Sequence, residues 1–295
     1  MFDARTLTLR RSLDLPGNAI ESAPSPDGRL LYYTSYYGSQ LHFLDTATWA
    51  VRTSLQVGAF PKMLTVSPSG RTLYVTSWTS GTVSAVDTAS GRVTWTIRTG
   101  LHSRGVSVSP DEKRLYVTNA GETTVSVVDV LARKVIARIV TDKWPRHTAI
   151  TRDGKRLYVA TQRRSLVQVI DTATLKIVGS ATLAAGGPRS MVLSADERFV
   201  YAAGFPSHAL GIVDTYSLKS VEVPLDLVKG SGVAVHPDDR QIYVTGWCSQ
   251  DVWAVERIRT GAMPLPLGRA APRRYRYPRD PTTRYHEGCP TPGRP

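Results

Sequence analysis

Glu21 and His147 are the two residues of this chain whose types suit proton transfer and whose positions break a repeated pattern. A carboxylate and an imidazole facing one cavity can act as general base and general acid. Their equivalents elsewhere are Met63, Gly105, Ser190 and Gly232. One residue earlier the register reads Ile20, Lys62, Arg104, Arg146, Arg189 and Ser231, with four consecutive cations. Clustered cations concentrate anions, and arginine grips a carboxylate or phosphate through two parallel hydrogen bonds. A further register reads Tyr36, Trp78, Ala120, Gln162, Phe205 and Trp247. Large aromatics at loop tips are costly to expose unless they pack or bind something. His102 and Trp144 stand on the loops that lead to the cations. An aromatic rim over a cationic floor suits a planar or apolar organic anion. Among these cations Glu21 should stay ionised, whereas His147 beside Arg146 should favour its neutral form.

Other chemistries lack their residues. The sequence has no G-x-S-x-G elbow, no phosphate-cradling glycine loop and no H-E-x-x-H. Its six histidines are scattered without metal-ligand spacing, so no metal or cofactor is expected. Two cysteines, Cys248 and Cys289, exclude a disulfide framework, a C-x-x-C-H haem attachment and an all-cysteine metal site.

The elements that must position these residues follow from repetition. Tyr32, Tyr74, Tyr116, Tyr158, Tyr201 and Tyr243 recur at steps of 42, 42, 42, 43 and 42, and Asp45, Asp87, Asp129, Asp171, Asp214 and Glu256 keep the same steps. Within each unit, short runs of alternating apolar and polar residues are separated by Pro, Gly, Ser and Asp clusters, which predicts four strands. Asp27, Asp111, Asp153 and Asp238 fall in the first turn of their units, so both carboxylate ladders are read as turn architecture. Four-stranded units of about 40 residues are propeller blades, which bury their faces by stacking on neighbours.

The phrase SPDEKRLYVTNAGETTVSVVDV (109–130), repeated in SPDGRLLYYTS, SPSGRTLYVTS and TRDGKRLYVAT, resembles the YVTN-type β-propeller repeat over residues 17–262. That family includes surface proteins, redox subunits and lactonase-like enzymes, so the resemblance speaks to fold rather than function. One step before Asp45 lies Asp3, which makes residues 2–17 the expected outer strand of a further blade. The expectation is an all-β, seven-bladed propeller over residues 1–262 with atypical ring closure, because Tyr285, one step beyond Tyr243, sits in TTRYHEG rather than in an apolar strand.

Residues 263–295 hold seven arginines against Asp280 and Glu287, together with eight prolines, and are expected to be a poorly ordered basic tail. The net charge of +13 would attract polyanions. No nucleic-acid-reading motif accompanies it, so nucleic acid is not the expected partner. No apolar run is long enough to span a membrane, and no signal peptide precedes the repeats, which reads as cytoplasmic unless translation starts upstream. The functional expectation is a propeller that binds a small organic anion or a protein partner at its loop face. The alternative is an enzyme of the channel mouth that opens a lactone, eliminates or cyclises.

Overall fold

The computed structural model describes residues 1–17, 19–184, 186–205, 208–249, 251–257 and 272–276. They form six four-stranded antiparallel sheets, each a meander in chain order. The first comprises β1 (Ala19–Pro24), β2 (Leu30–Ser35), β3 (Gln40–Asp45) and β4 (Val51–Gln56). The second comprises β5 (Pro61–Val66), β6 (Thr72–Ser77), β7 (Thr82–Asp87) and β8 (Arg92–Arg98). The third holds β9 (Ser103–Val108), β10 (Arg114–Asn119), β11 (Thr124–Asp129) and β12 (Lys134–Val140). The fourth holds β13 (Pro145–Ile150), β14 (Arg156–Thr161), β15 (Leu166–Asp171) and β16 (Lys176–Thr182). The fifth is β17 (Pro188–Leu193), β18 (Phe199–Gly204), β19 (Ala209–Asp214) and β20 (Ser220–Pro224), and the sixth is β21 (Gly230–Val235), β22 (Gln241–Gly246), β23 (Asp251–Glu256) and β24 (Arg273–Arg276).

The count corrects the seven blades expected from the register: the described residues form six. Arg273–Arg276, from the stretch read as a tail, pairs with β23 as the outer strand of the sixth sheet. The N-terminal residues, expected to begin a seventh sheet, make one bridge, Phe2 with Leu9. They do repeat the turn that the register located. Asp3 Oδ1 accepts from the Arg5 and Thr6 backbone N–H groups, and Leu7 closes the turn at φ 57°. Asp45 does the same with Ala47, Thr48 and Trp49 (φ 63°). A turn without paired strands beside it does not make a sheet. Instead it packs on the sixth sheet: the Tyr243 hydroxyl donates to the Ala4 carbonyl at 2.8 Å, and the Phe2 ring meets Tyr275 edge-on at 4.7 Å.

The chain divides into two compact units: Leu13–Thr161 with Gln168–Gly179, and Met1–Ser12 with Gln162–Val167 and Ser180–Pro295. In the first, the core lies between successive sheets. Tyr32, Leu41 and Phe43 meet Leu64, Leu73 and Val75; Met63, Tyr74 and Val83 meet Val106, Leu115 and Val117; Tyr116, Val125 and Val127 meet Leu157, Val159 and Ile170. In the second, Phe199, Tyr201, Leu210 and Ile212 pack on Ile242, Val244 and Val255. Middle strands are thus sealed on both faces, which is why L-Y-V-T reads as a nearly unbroken apolar run. Each such Leu or Val, fully buried, contributes roughly 1.5–3 kcal/mol. No helix among the described residues is long and apolar enough to cross a membrane.

Candidate functional site

Every innermost strand carries a β-bulge at the register of the cations. In β5, Pro61 pairs with Ser77 and Leu64 with Val75, leaving Lys62 and Met63 in the irregularity. In β9 the same break falls on Arg104 and Gly105, and in β13 on Arg146 and His147. β1 breaks between Ala19 and Ser22, around Ile20 and Glu21. β17 breaks at Arg189 and β21 at Ser231. These residues lie within the innermost strands, not on the loops that lead to them. A bulge re-aims the side chains it carries, and such breaks gather beside functional sites.

Threonines of the repeated Y-V-T hold the bulges. The Thr118 hydroxyl accepts from the Gly105 N–H at 2.7 Å and donates to the Arg146 carbonyl, one sheet on, at 3.0 Å. Thr76 does the same with the Met63 N–H (3.3 Å) and the Arg104 carbonyl. The backbones of Arg104 and Arg146 are therefore fixed by the preceding sheet. Gly105 is what allows the approach: a Cβ there would stand 2.5 Å from the Arg146 carbonyl oxygen and 3.1 Å from His147 Cα. Gly105→Ala should cost about 1–3 kcal/mol by overpacking. A shift of the denaturation midpoint at unchanged slope would register it, and a wild-type midpoint would show that the two strands can part.

In the first unit the rings and cations interleave. Lys62 Nζ sits 3.9 Å from the Tyr36 ring centroid and 5.7 Å from that of Trp78. The Arg146 guanidinium lies 5.9 Å from Trp78 and 4.9 Å from Trp144. Trp78 is stacked on His102 at 4.5 Å with planes 9° apart, and its ring centroid is 6.4 Å from that of Trp144. Arg104, 7 % exposed, lies close enough to act electrostatically on both Tyr36 and His147. Burial pushes the Tyr36 hydroxyl up, with Tyr37 adding to it and Arg104 opposing.

Two further residues belong here that the sequence reading missed. Phe60 packs 4.8 Å from Tyr36. It shares with His102, Trp144 and Lys229 a left-handed backbone, φ 55–63°, at the entry to an innermost strand. Bulky residues adopt that conformation at a cost that surrounding contacts must offset. The rim supplies such contacts: the Trp78 N–H donates to the Phe60 carbonyl at 2.9 Å, and the Ala120 N–H to that of His102 at 3.1 Å. In the second unit, Arg189 lies 5.0 Å from Phe205 and 4.6 Å from Trp247, and Lys229 lies 5.2 Å from Phe205.

Glu21 and His147 are not neighbours. β1, β5, β9 and β13 stand side by side in that order, so two strands separate the pair. His147 Nδ1 is buried without a hydrogen-bond partner, and the imidazole pKa is pushed down to about 4, by burial first and then by Arg104. The expected neutral form is found, but its cationic cause is Arg104 on the adjacent strand rather than Arg146 beside it. At neutral pH such a group lacks the imidazolium proton that a histidine general acid donates.

The aspartates of both ladders are turn architecture, as expected: Asp27, Asp111 and Asp153 accept from Ser25, Ser109 and Thr151 hydroxyls and from backbone N–H groups. Asp45, Asp87, Asp129, Asp171 and Asp214 accept from backbone N–H groups three residues on. Among the described residues no cluster of His, Cys, Asp or Glu could hold a metal ion. Cys248 takes part in a disulfide. Cys289, the other cysteine of the sequence, lies outside the described residues.

A family profile described as YNCE-like beta-propeller matches residues 53–239, more than half of the chain. Residues 7–97 are also similar to a profile described as outer membrane protein assembly factor BamB. A solved structure described as Kuenenia stuttgartiensis hydrazine synthase superimposes with a TM-score of 0.75 at 25% identity, covering 84% of this chain and 79% of that one. A functionally unknown protein from Desulfotomaculum acetoxidans superimposes with a TM-score of 0.74 at 13% identity, covering 84% and 80%, which speaks to fold alone. A search of curated proteins gave no match.

Proposed function

Taking as premise that the chain belongs to the YNCE-like β-propeller family, we propose that it binds an organic anion with a planar, apolar body at the bulge face of its first four sheets. The observation that carries this reading is the clasping of cations between rings: Lys62 between Tyr36 and Trp78, and Arg146 between Trp78 and Trp144. A cation held against rings has already lost most of its rotamer freedom, so binding an anion costs less ordering. The ring edges beside it carry partial positive charge and accept a planar ligand edge-on.

Binding is favoured over proton-transfer chemistry because His147 is neutral at pH 7 and stands two strands from Glu21. The test pairs calorimetry with product analysis on a panel of aromatic carboxylates. Binding is expected, each compound should be recovered unchanged, and Arg104→Glu with Arg146→Glu should weaken affinity at least tenfold, about 1.4 kcal/mol or more. Unchanged affinity in that double variant would remove the bulge face from consideration. A compound returned with altered mass would make the protein an enzyme, and Glu21→Gln would then be the variant to assay.

A further inference from the structure

At the other end of the strands, we infer that the turns of the second, third and fourth sheets form a docking surface for an anionic lipid bilayer, which Leu131 enters. These turns belong to the first compact unit. They lie away from the bulges: β5 carries Lys62 near its start and runs into the turn at Ser67–Arg71 from its end.

Hydrogen bonds join the turns into one surface. Within each sheet the last turn is tied to the first. The Thr88, Val130 and Thr172 backbone N–H groups donate to the Arg71, Lys113 and Lys155 carbonyls, each at 3.0 Å. Between sheets, the Ser69 hydroxyl donates to the Glu112 carboxylate at 3.0 Å, and the Arg114 guanidinium to the Thr172 carbonyl at 3.1 Å. Six exposed cations of this surface, Arg71, Arg92, Lys113, Arg133, Lys134 and Lys176, form no ion pair among the described residues. In the first sheet, by contrast, Arg29 and Arg52 are paired with Asp27 and Asp45. Arg114, Lys155 and Arg156 bring the cations to nine. Against them stand six carboxylates. Asp87, Asp111, Asp129, Asp153 and Asp171 accept from the N–H groups of their own turns, and Glu112 from Ser69. The surface therefore keeps an excess of three positive charges without Arg152, which has contacts of its own.

Such an excess attracts any polyanion, and Leu131 distinguishes among them. The tip of the last turn is alanine in the first, second and fourth sheets, at Ala47, Ala89 and Ala173. In the fifth it is Tyr216, whose ring lies 4.5 Å from the Arg198 guanidinium. The third sheet has Leu131, 92 % exposed and followed closely by Arg133 and Lys134. This turn closes through the Asp129 carboxylate and the Ala132 N–H, which alanine at the tip would serve equally. A phosphodiester chain offers nothing to an exposed aliphatic group. The boundary between lipid headgroups and acyl chains takes one readily, while cations around it meet the lipid phosphates and carboxylates. Durable attachment needs two signals together, one apolar and one basic, and this turn carries both. A bilayer seated here leaves the bulges of the same sheets facing solution.

Flotation of the full chain with phosphatidylcholine vesicles, with and without about one-quarter phosphatidylserine, tests the surface. Binding to the anionic vesicles is expected to be about tenfold tighter or more, and to weaken as salt rises. Lys113→Glu with Lys134→Glu should weaken it about tenfold or more. Arg98→Glu with Lys143→Glu removes the same charge from the other end of these sheets and should weaken it less than about threefold. Leu131→Ala should weaken vesicle binding about threefold or more and leave affinity for a labelled oligonucleotide unchanged. Should the first pair lose its fold by circular dichroism, Arg133→Gln with Lys134→Gln replaces it, with a loss of about fivefold expected. Equal binding to neutral and anionic vesicles, or equal losses from the two charge-reversed pairs, overturns the surface. An oligonucleotide bound more tightly than the anionic vesicles, with Leu131→Ala affecting neither, assigns the cations to nucleic acid and overturns the lipid reading.

Discussion

Replacing Arg257 with methionine is expected to destabilise the protein by about 3–5 kcal/mol, the usual cost of stranding a buried charge. Arg257 is 5 % exposed and forms ion pairs with Asp239, 3 % exposed, and with Asp196. Its guanidinium also lies 5.2 Å from the Phe199 ring. In four other sheets this register holds a threonine, whose hydroxyl donates to the carbonyl of the first turn: Thr46 to Gly28, Thr88 to Gly70, Thr172 to Gly154 and Thr215 to Glu197. The sixth sheet exchanges a neutral hydroxyl–carbonyl pair for a buried ion pair. Asp239 stands at φ 61°, where the first, second and fourth sheets have glycine. The expected rescue follows from that register. Arg257→Thr with Asp239→Gly restores the pair used elsewhere, removes both buried charges together and suits the left-handed backbone. Chemical denaturation of the single and double variants should show most of the loss recovered, a coupling of several kcal/mol. If the double variant is as unstable as Arg257→Met, the ion pair is not what holds this turn.

How much of this was legible in the sequence depended on whether a feature lives along the chain or across it. The tyrosine ladder could be read because a strand sealed on both faces gives an apolar run at every repeat, and the aspartates because a carboxylate capping its own turn is a local matter. Asp3 is the instructive case. Its step of 42 located a real turn, but a sheet also needs partners, and β24 came from Arg273–Arg276, too charged to read as a strand. The register of Lys62, Arg104 and Arg146 was visible for the same reason as the tyrosines, whereas the bulge that aims them is a property of strand pairing. Thr118 recurs with the architecture, so nothing marked it as the group that fixes Arg146. Phe60 and Lys229 were hidden because a left-handed position announces itself only when glycine fills it. His147 was read against its chain neighbour Arg146; its perturbing charge sits on the next strand.

Lowering the pH from 7 to 4 should cost the protein about 3 kcal/mol through His147 alone, about 2 of it by pH 5. The folded imidazole titrates near 4 against 6.5 for the free side chain. Between those values the unfolded chain binds a proton that the folded protein refuses, so stability is full above about 6.5 and drains as the pH falls. His42 works in the same direction: it is buried against Tyr33, and burial lowers its pKa. The turn aspartates add to the loss only at the acid end of this window. Their folded pKa values lie below 3.8, so their contribution begins to drain below about pH 5, as the unfolded carboxyls take up protons, and most of it goes below about pH 4. His147→Gln keeps a hydrogen-bonding side chain of similar length without the titration. It should flatten the unfolding free energy between pH 7 and 4 by about 3 kcal/mol relative to wild type, whereas His42→Gln should remove only its own share. Identical pH profiles for wild type and His147→Gln would mean that the imidazole reaches solvent and that Arg104 does not oppose its charge.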